Sequence, residues 1–146
     1  MLSTIEDVAL AWAAGFSDGE ACISIARQRF ASGRRPTYRM RFDIGQNNRE
    51  VLLHFQQSVG VQGRLYTIKR TTVTNRQHYQ LTYDGDRAHQ VIRRLEPWLV
   101  RKRPEAIIAL RYMTECRIGW HPGPAGFPES LWNLRESFYK KLKRMK

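Results

Sequence analysis

Ala13-Ala14-Gly15-Phe16-Ser17-Asp18-Gly19-Glu20-Ala21 decides the fold, because it joins the end of an expected helix to the start of an expected strand. Upstream, Ser3 or Thr4 can cap that helix, and Ser3 with Glu6 has the spacing of a capping box. The helix is expected through Asp7 to about Asp18, where Gly19 offers an ending. Ala11, Ala14 and Gly15 give it a face of small residues that another backbone can approach closely. Such a face can pack inside the domain or meet its twin across a two-fold axis.

Downstream, Cys22 to Phe30 reads as a strand with Ile23 and Ile25 on one side and Ser24, Ala26 and Gln28 on the other. After a loop at Ala31 to Pro36 the alternation sharpens: Tyr38, Met40, Phe42 and Ile44 face one way, and Thr37, Arg39, Arg41 and Asp43 the other. A period of two means one side is core and the opposite side an exposed, basic sheet face. Asn47 or Asn48 can cap a second helix bearing Val51, Leu52, Phe55 and Val59, closed by Gly60. A second hairpin follows, roughly Arg64 to Lys69 and Gln77 to Tyr83 around a turn at Thr71 to Arg76, and its return strand separates Tyr79, Leu81 and Tyr83 from His78, Gln80 and Thr82.

Asp84 or Asp86 begins a third helix ended by Pro97, and a fourth is expected from about Pro104 to Ile118. Gly119 to Pro128 is a Gly- and Pro-rich connector, and Leu131, Leu134, Phe138 and Leu142 form the stripe of a last helix whose basic end runs from Lys140 to Lys146. The expected order is helix, strand, strand, helix, strand, strand and three helices. A chain of 146 residues suits a single domain, taken as 1–146 with 119–146 a connector and C-terminal helical extension.

Charge narrows the choice of partner. Lys and Arg number 25 against 13 Asp and Glu, a formal net charge of +12, which favours a polyanion without choosing among DNA, RNA and anionic lipid. Placement says more than the total. Ala21 to Phe42 holds Arg27, Arg29, Arg34, Arg35, Arg39 and Arg41 and no acid, and Val51 to Tyr83 holds Arg64, Lys69, Arg70 and Arg76 and again no acid. Solubility alone is served by mixed signs. No apolar run approaches the roughly 20 residues of a membrane span, and the N-terminus lacks the features of a signal or transit peptide, so an intracellular protein is expected. Cys22 and Cys116 have no knuckle or redox spacing and read as reduced thiols, in the core or half-buried.

Asp18 and Glu20 are the acids placed to do chemistry. A helix C-terminus carries partial negative charge and free carbonyls, which suits a divalent cation, and two copies of the helix side by side would bring a pair of Glu20 carboxylates together. Both residues equally fit the plain role of polar residues closing a helix. No His/Cys cluster, Gly-rich phosphate loop or Ser/His/Asp arrangement points to other chemistry, and His54, His78, His89 and His121 are scattered.

The Ala13 to Ala21 stretch resembles the signature of the LAGLIDADG homing endonucleases, with Cys22-Ile23-Ser24-Ile25 following as that family's first strand does. Phe42-Asp43-Ile44-Gly45-Gln46 is similar to the end of its second strand, and Leu95-Glu96-Pro97-Trp98-Leu99-Val100-Arg101-Lys102 to the segment that carries its basic active-site residue. The agreements run in family order over roughly Glu6 to Leu110, with one copy of the signature, as in the single-motif homodimeric members. Five departures occur: Ala13 for a large apolar residue, Ser17 for an aliphatic one, Ala21 for glycine, Glu20 for the commoner Asp, which extends the carboxylate by a methylene, and Glu50 near a position where a related enzyme type carries a basic residue. They bear on packing, metal spacing and the outer active site.

The resemblance implies an α/β fold of the α+β type: an αββαββα core whose two antiparallel hairpins form a DNA-binding saddle, with additional C-terminal helices. It implies a site-specific double-strand DNA endonuclease, active as a homodimer on a long, pseudo-palindromic target, in the setting of intron homing. Glu20 and the Gly19 carbonyl would hold Mg2+, with Mn2+ or Ca2+ able to take the same place. Gln46 would organise metal and water beside the scissile phosphate, and Lys102 would position solvent or stabilise phosphate charge. Ala11, Ala14, Gly15 and Asp18 would lie at the dimer interface, Asp18 capping or bracing the motif helices. Ser24, Gln28, Arg34, Arg35, Arg39, Arg41, Asp43, Tyr66, Arg70, Arg76, His78 and Gln80 would contact DNA, the arginines on guanine or phosphate, the glutamines on adenine and Asp43 on cytosine. The family leaves two other outcomes, a DNA-binding regulator without catalysis and an RNA-binding intron maturase, and a bacterial cytoplasm or an organelle serves equally as the setting.

Overall fold

The computed structural model describes residues 4–69 and 77–146. Thr4 starts α1 (Ile5–Glu20) through a capping box with Asp7: the Asp7 N–H donates to Thr4 Oγ1 at 3.0 Å, and the Thr4 N–H to Asp7 Oδ2 at 3.2 Å. That box falls one residue later than the Ser3 and Glu6 spacing suggested. Gly19 does not end the helix. It stays helical, and the chain turns extended only at Ala21, where pairing with Ile44 across the first hairpin begins.

The strands β1 (Ala21–Gln28), β2 (Thr37–Gln46), β3 (Arg64–Ile68) and β4 (His78–Asp84) form one antiparallel sheet in the order β1-β2-β4-β3. Two hairpins thus join along β2 and β4. The expected turn from Thr71 to Arg76 lies outside the described residues. Between the hairpins runs α2 (Arg49–Val59), whose Asn48 side chain accepts from the Val51 N–H at 3.2 Å. Gly60 ends it at φ 71°, a left-handed conformation that glycine adopts without a Cβ penalty.

Helix α3 (Gly85–Leu95) leads into a 3-10 turn at Glu96–Trp98 that contains Pro97, and α4 (Arg103–Glu115) follows. The last helix, α5 (Glu129–Arg144), lies against β1 and α4. No helix of the described residues is long and apolar enough to cross a membrane.

Ile23, Ile25, Met40, Phe42, Ile44, Leu81 and Tyr83 cover the inner face of the sheet and meet Leu52, Phe55 and Val59 of α2 and Ala88, Val91, Ile92 and Leu95 of α3. Phe42 stacks on Phe55 at 5.9 Å between centroids and meets Tyr83 edge-on at 6.1 Å. Each such side chain contributes about 1.5–3 kcal/mol by leaving water. The Tyr83 hydroxyl stays satisfied by donating to the Val61 carbonyl at 2.7 Å, and burial raises its pKa.

At the outer end of the first hairpin, Glu136 of α5 accepts from both Arg27 and Tyr38, and the Arg27 guanidinium lies 4.4 Å over the Tyr139 ring. Burial, and then the hydrogen bond to Glu136, push the Tyr38 phenol up to about 12. The C-terminal helix therefore fixes one end of the sheet. Both cysteines are free, Cys116 fully buried and Cys22 half-buried.

Candidate functional site

The outward face of the sheet is laid out by the strand register. Ser24 on β1 stands opposite Arg41 on β2, which stands opposite Asp84 on β4; in the next rows Asp43 faces Thr82 and Arg64, and Gly45 faces Gln80 and Tyr66. Arg39 is exposed, and Gln28 ends β1 exposed opposite Thr37. His78 begins β4 with its ring over Gly45, where even a methyl group would lie 2.7 Å from its Nε2. Glycine at that point lets the imidazole lie across the strand.

Two of the expected contacts are held by partners that the alternation alone did not show. Arg41 Nε donates to Asp84 Oδ1 at 2.9 Å, a bond that raises the arginine pKa further, and Arg64 Nη2 lies 3.5 Å from the other Asp84 oxygen. Asp43 Oδ1 accepts from Thr82 Oγ1 at 2.7 Å and from Gln80 Nε2 at 3.2 Å. Tyr66 presents its hydroxyl 3.4 Å from the same Thr82 oxygen. Asp84 is one of the two residues, with Asp86, that the sequence offers as the start of α3. It occupies the N-cap position without capping, because its carboxylate is turned to the two arginines.

Arg34 and Arg35 sit in the loop between β1 and β2, apart from the sheet face. The Arg34 guanidinium covers the Phe30 ring at 4.2 Å, and Arg35 pairs with Glu129 beside Trp132 on α5. Arg70 and Arg76 lie outside the described residues. Arg64, Thr82 and Asp84 complete the face although sequence reading did not single them out as site residues. The period-two signal that placed Gln80 outward extends to Thr82 and Asp84 and could have found them.

Asp18 and Glu20 lie at the end of α1, beside one end of this face. Glu20 is exposed at the last residue of α1, and the Ala21–Ile44 pairing brings the end of β2, with half-buried Gln46, alongside it. The last helical amide bond runs from the Ala21 N–H to the Ser17 carbonyl, so the carbonyls that follow have no helical partner. Asp18 does not point to the same place: its Oδ1 accepts from the Lys102 N–H at 2.9 Å and its Oδ2 from the Val100 N–H at 3.0 Å. That bridge ties Lys102, just ahead of α4, to the end of α1. The Lys102 Nζ lies 3.9 Å from Glu105, both side chains mostly buried. Ser17, a departure from the family pattern, is buried with its hydroxyl donating to the Ala13 carbonyl at 2.7 Å.

The open face of α1 is narrower than expected. Ala14 is fully buried within the chain's own core together with Ala13 and Ser17, so it has no surface to give to an interface. Ala11 and Gly15 remain exposed, in line with Val8 at 61% and Ile5 at 91% exposure, and a Cβ built at Gly15 or Gly19 meets nothing within 4 Å.

Residues 13–101 match the family model described as LAGLIDADG endonuclease. The chain belongs to the LAGLIDADG endonuclease family. No curated sequence matches it. Among crystal structures, the homing endonuclease I-CvuI in complex with its target and calcium shares the LAGLIDADG fold at a TM-score of 0.75, with 20% identity over 97% of this chain and 83% of that one. An archaeal intron-encoded homing endonuclease complexed with DNA gives 0.73, with 18% identity over 97% of this chain and 86% of that one. I-SmaMI, bound to an uncleaved DNA target in the presence of calcium ions, gives 0.63 with 14% identity; this LAGLIDADG chain covers 44% of its length. The αββαββα core and the added C-terminal helices are those expected from the sequence.

Proposed function

We propose that the chain is a homing endonuclease that pairs with a second copy through the open face of α1, binds duplex DNA in the saddle formed by the one sheet of each subunit, and hydrolyses one phosphodiester bond in each strand. The carrying observation is the position of Glu20: exposed, where the unfilled side of α1 meets the outward sheet face. Among the described residues no group of three or more His, Cys, Asp and Glu gathers to hold an ion, and with the Asp18 oxygens taken by the Val100 and Lys102 N–H groups, Glu20 is the carboxylate left at the end of α1. A second copy would double it.

The donors fit a hard divalent cation such as Mg2+, since a carboxylate and helix-end carbonyls are oxygen ligands. Glu20 and the Gly19 carbonyl would hold it, and the bound ion supplies activation of water and neutralisation of phosphate charge. Gln46, at the end of β2, has the amide to orient a water by hydrogen bonding. Lys102 has the ammonium to stabilise charge developing on the phosphate oxygens, held by the Asp18 bridge on its backbone. Two-fold symmetry asks for related half-sites in the target, so a long pseudo-palindrome fits.

Cleavage of a plasmid library in magnesium, run beside Glu20→Gln, tests this reading. Cutting by the wild type, with binding alone by E20Q and at least a hundredfold slower cleavage, supports it. Binding without cutting by both proteins would favour a regulator, and preference for structured intron RNA a maturase. A chain that stays monomeric on DNA overturns the composite site.

A further inference from the structure

On a face built to attract phosphate, one carboxylate stands without a cation. Asp84 is neutralised by Arg41 and Arg64, whereas Asp43, in the interior strand β2, forms no ion pair among the described residues. Two neutral donors hold it instead. Thr82, only 3% exposed, gives its single hydroxyl proton to Asp43 Oδ1, since a carboxylate can only accept, and Gln80 Nε2 donates to that same oxygen. The Tyr66 hydroxyl, 3.4 Å from Thr82 Oγ1, must then be the donor in its own contact. The relay Tyr66 to Thr82 to Asp43 fixes the carboxylate from behind. It leaves Oδ2 without a hydrogen-bond partner among the described residues.

A carboxylate so placed is repelled by phosphate, so it cannot serve as a backbone contact. In the major groove guanine offers two acceptors and thymine one, and neither can satisfy it; only the cytosine N4 and adenine N6 amino groups donate. Adenine sets its N7 acceptor beside that amino group, where it opposes a second lone pair. Cytosine has no acceptor there. We infer that Asp43 Oδ2 accepts from a cytosine N4 amino group and selects that base at one position in each half-site. This rests on the reading of the chain as a duplex-binding dimer.

The geometry makes the Asn variant more informative than the Ala one. With Thr82 and Gln80 both donating, Asp43→Asn would keep its amide oxygen toward them and turn its NH2 outward, so its preference should move to a base edge with an acceptor, guanine or thymine. Random duplexes would be selected by binding to the dimer in calcium, in place of magnesium, with the wild type, D43N and D43A. The wild type should favour cytosine by about tenfold or more at one position per half-site. D43A should level that position to within about twofold and leave the others intact. Both variants should bind random-sequence duplex several-fold tighter at low salt, since a repelling charge is gone.

Unchanged cytosine preference in D43A overturns the inference, and so does selection of adenine by the wild type at the position that D43A levels. Failure of the wild type to enrich any duplex overturns the underlying reading of function, a result distinct from enrichment that ignores residue 43.

Discussion

The carboxylate of Asp18 holds the backbone of Lys102, accepting its N–H at 2.9 Å while the second oxygen accepts that of Val100 at 3.0 Å. The last turn of α1 and the segment entering α4 are therefore one unit. In Asp18→Asn only one oxygen remains, and the amide NH2 faces the other N–H. The expected loss is about 1–3 kcal/mol of stability. Thermal unfolding measures it, and cleavage should fall further than DNA binding because Lys102 moves while the sheet face stays.

Glu136 carries the junction between α5 and the first hairpin through Arg27 and Tyr38. Glu136→Ala leaves a half-buried guanidinium and phenol without their acceptor, and about 1–3 kcal/mol should be lost. Denaturant titration of the variant would show this as a lower midpoint, and an unchanged midpoint would mean that α5 is held by Leu131, Phe138 and Leu142 alone.

Gly60 closes α2 at φ 71°, and a Cβ there would lie 2.8 Å from Arg94 Nη1, which itself donates to the Val59 carbonyl at 2.8 Å. Left-handed backbone costs a residue with a Cβ about 1–2 kcal/mol, so Gly60→Ala should be destabilised by at least that much. A melting temperature equal to wild type would contradict the cap geometry.

Burial pushes the Cys116 thiol up to about 11 from an ordinary 9.0. The unfolded chain then ionises first as pH rises, so stability present below pH 9 declines between 9 and 11. A thiol-reactive dye should label Cys22 in the native protein and reach Cys116 only after unfolding. Two equally fast thiols would contradict this.

Binding to duplex DNA should weaken steeply with salt, because phosphate contacts release counterions; a loss of about a hundredfold or more is expected between about 50 and about 200 mM. Titrations at several salt concentrations would check it, and a flat response would remove phosphate contact as the basis of binding.

Much of the fold is legible in the sequence. The alternation from Thr37 to Ile44 identified both faces of β2, since a period of two leaves no choice once one side is apolar. What local pattern could not supply was long-range partnership: Glu136 meets Arg27 across 109 positions, and Asp84 leaves its helix for Arg41. Ala14 was misplaced for a simpler reason. Adjacent residues on a helix point about a quarter-turn apart, so Ala11 and Gly15, four apart, share the open side while Ala14 turns inward. The signature marks Asp18 and, separately, the segment ending at Lys102, but not the bridge between them, in which Asp18 accepts the Lys102 and Val100 N–H groups.

Because Asp84 gives both its oxygens to arginines, the first turn of α3 has no capping hydrogen bond from its N-cap side chain, unlike that of α2 under Asn48. Anything that draws Arg41 away frees an acceptor at the very place where a helix lacks one. The grip on a ligand and the firmness of that helix's first turn are thus set by a single shared oxygen pair, and alteration of either will register in the other.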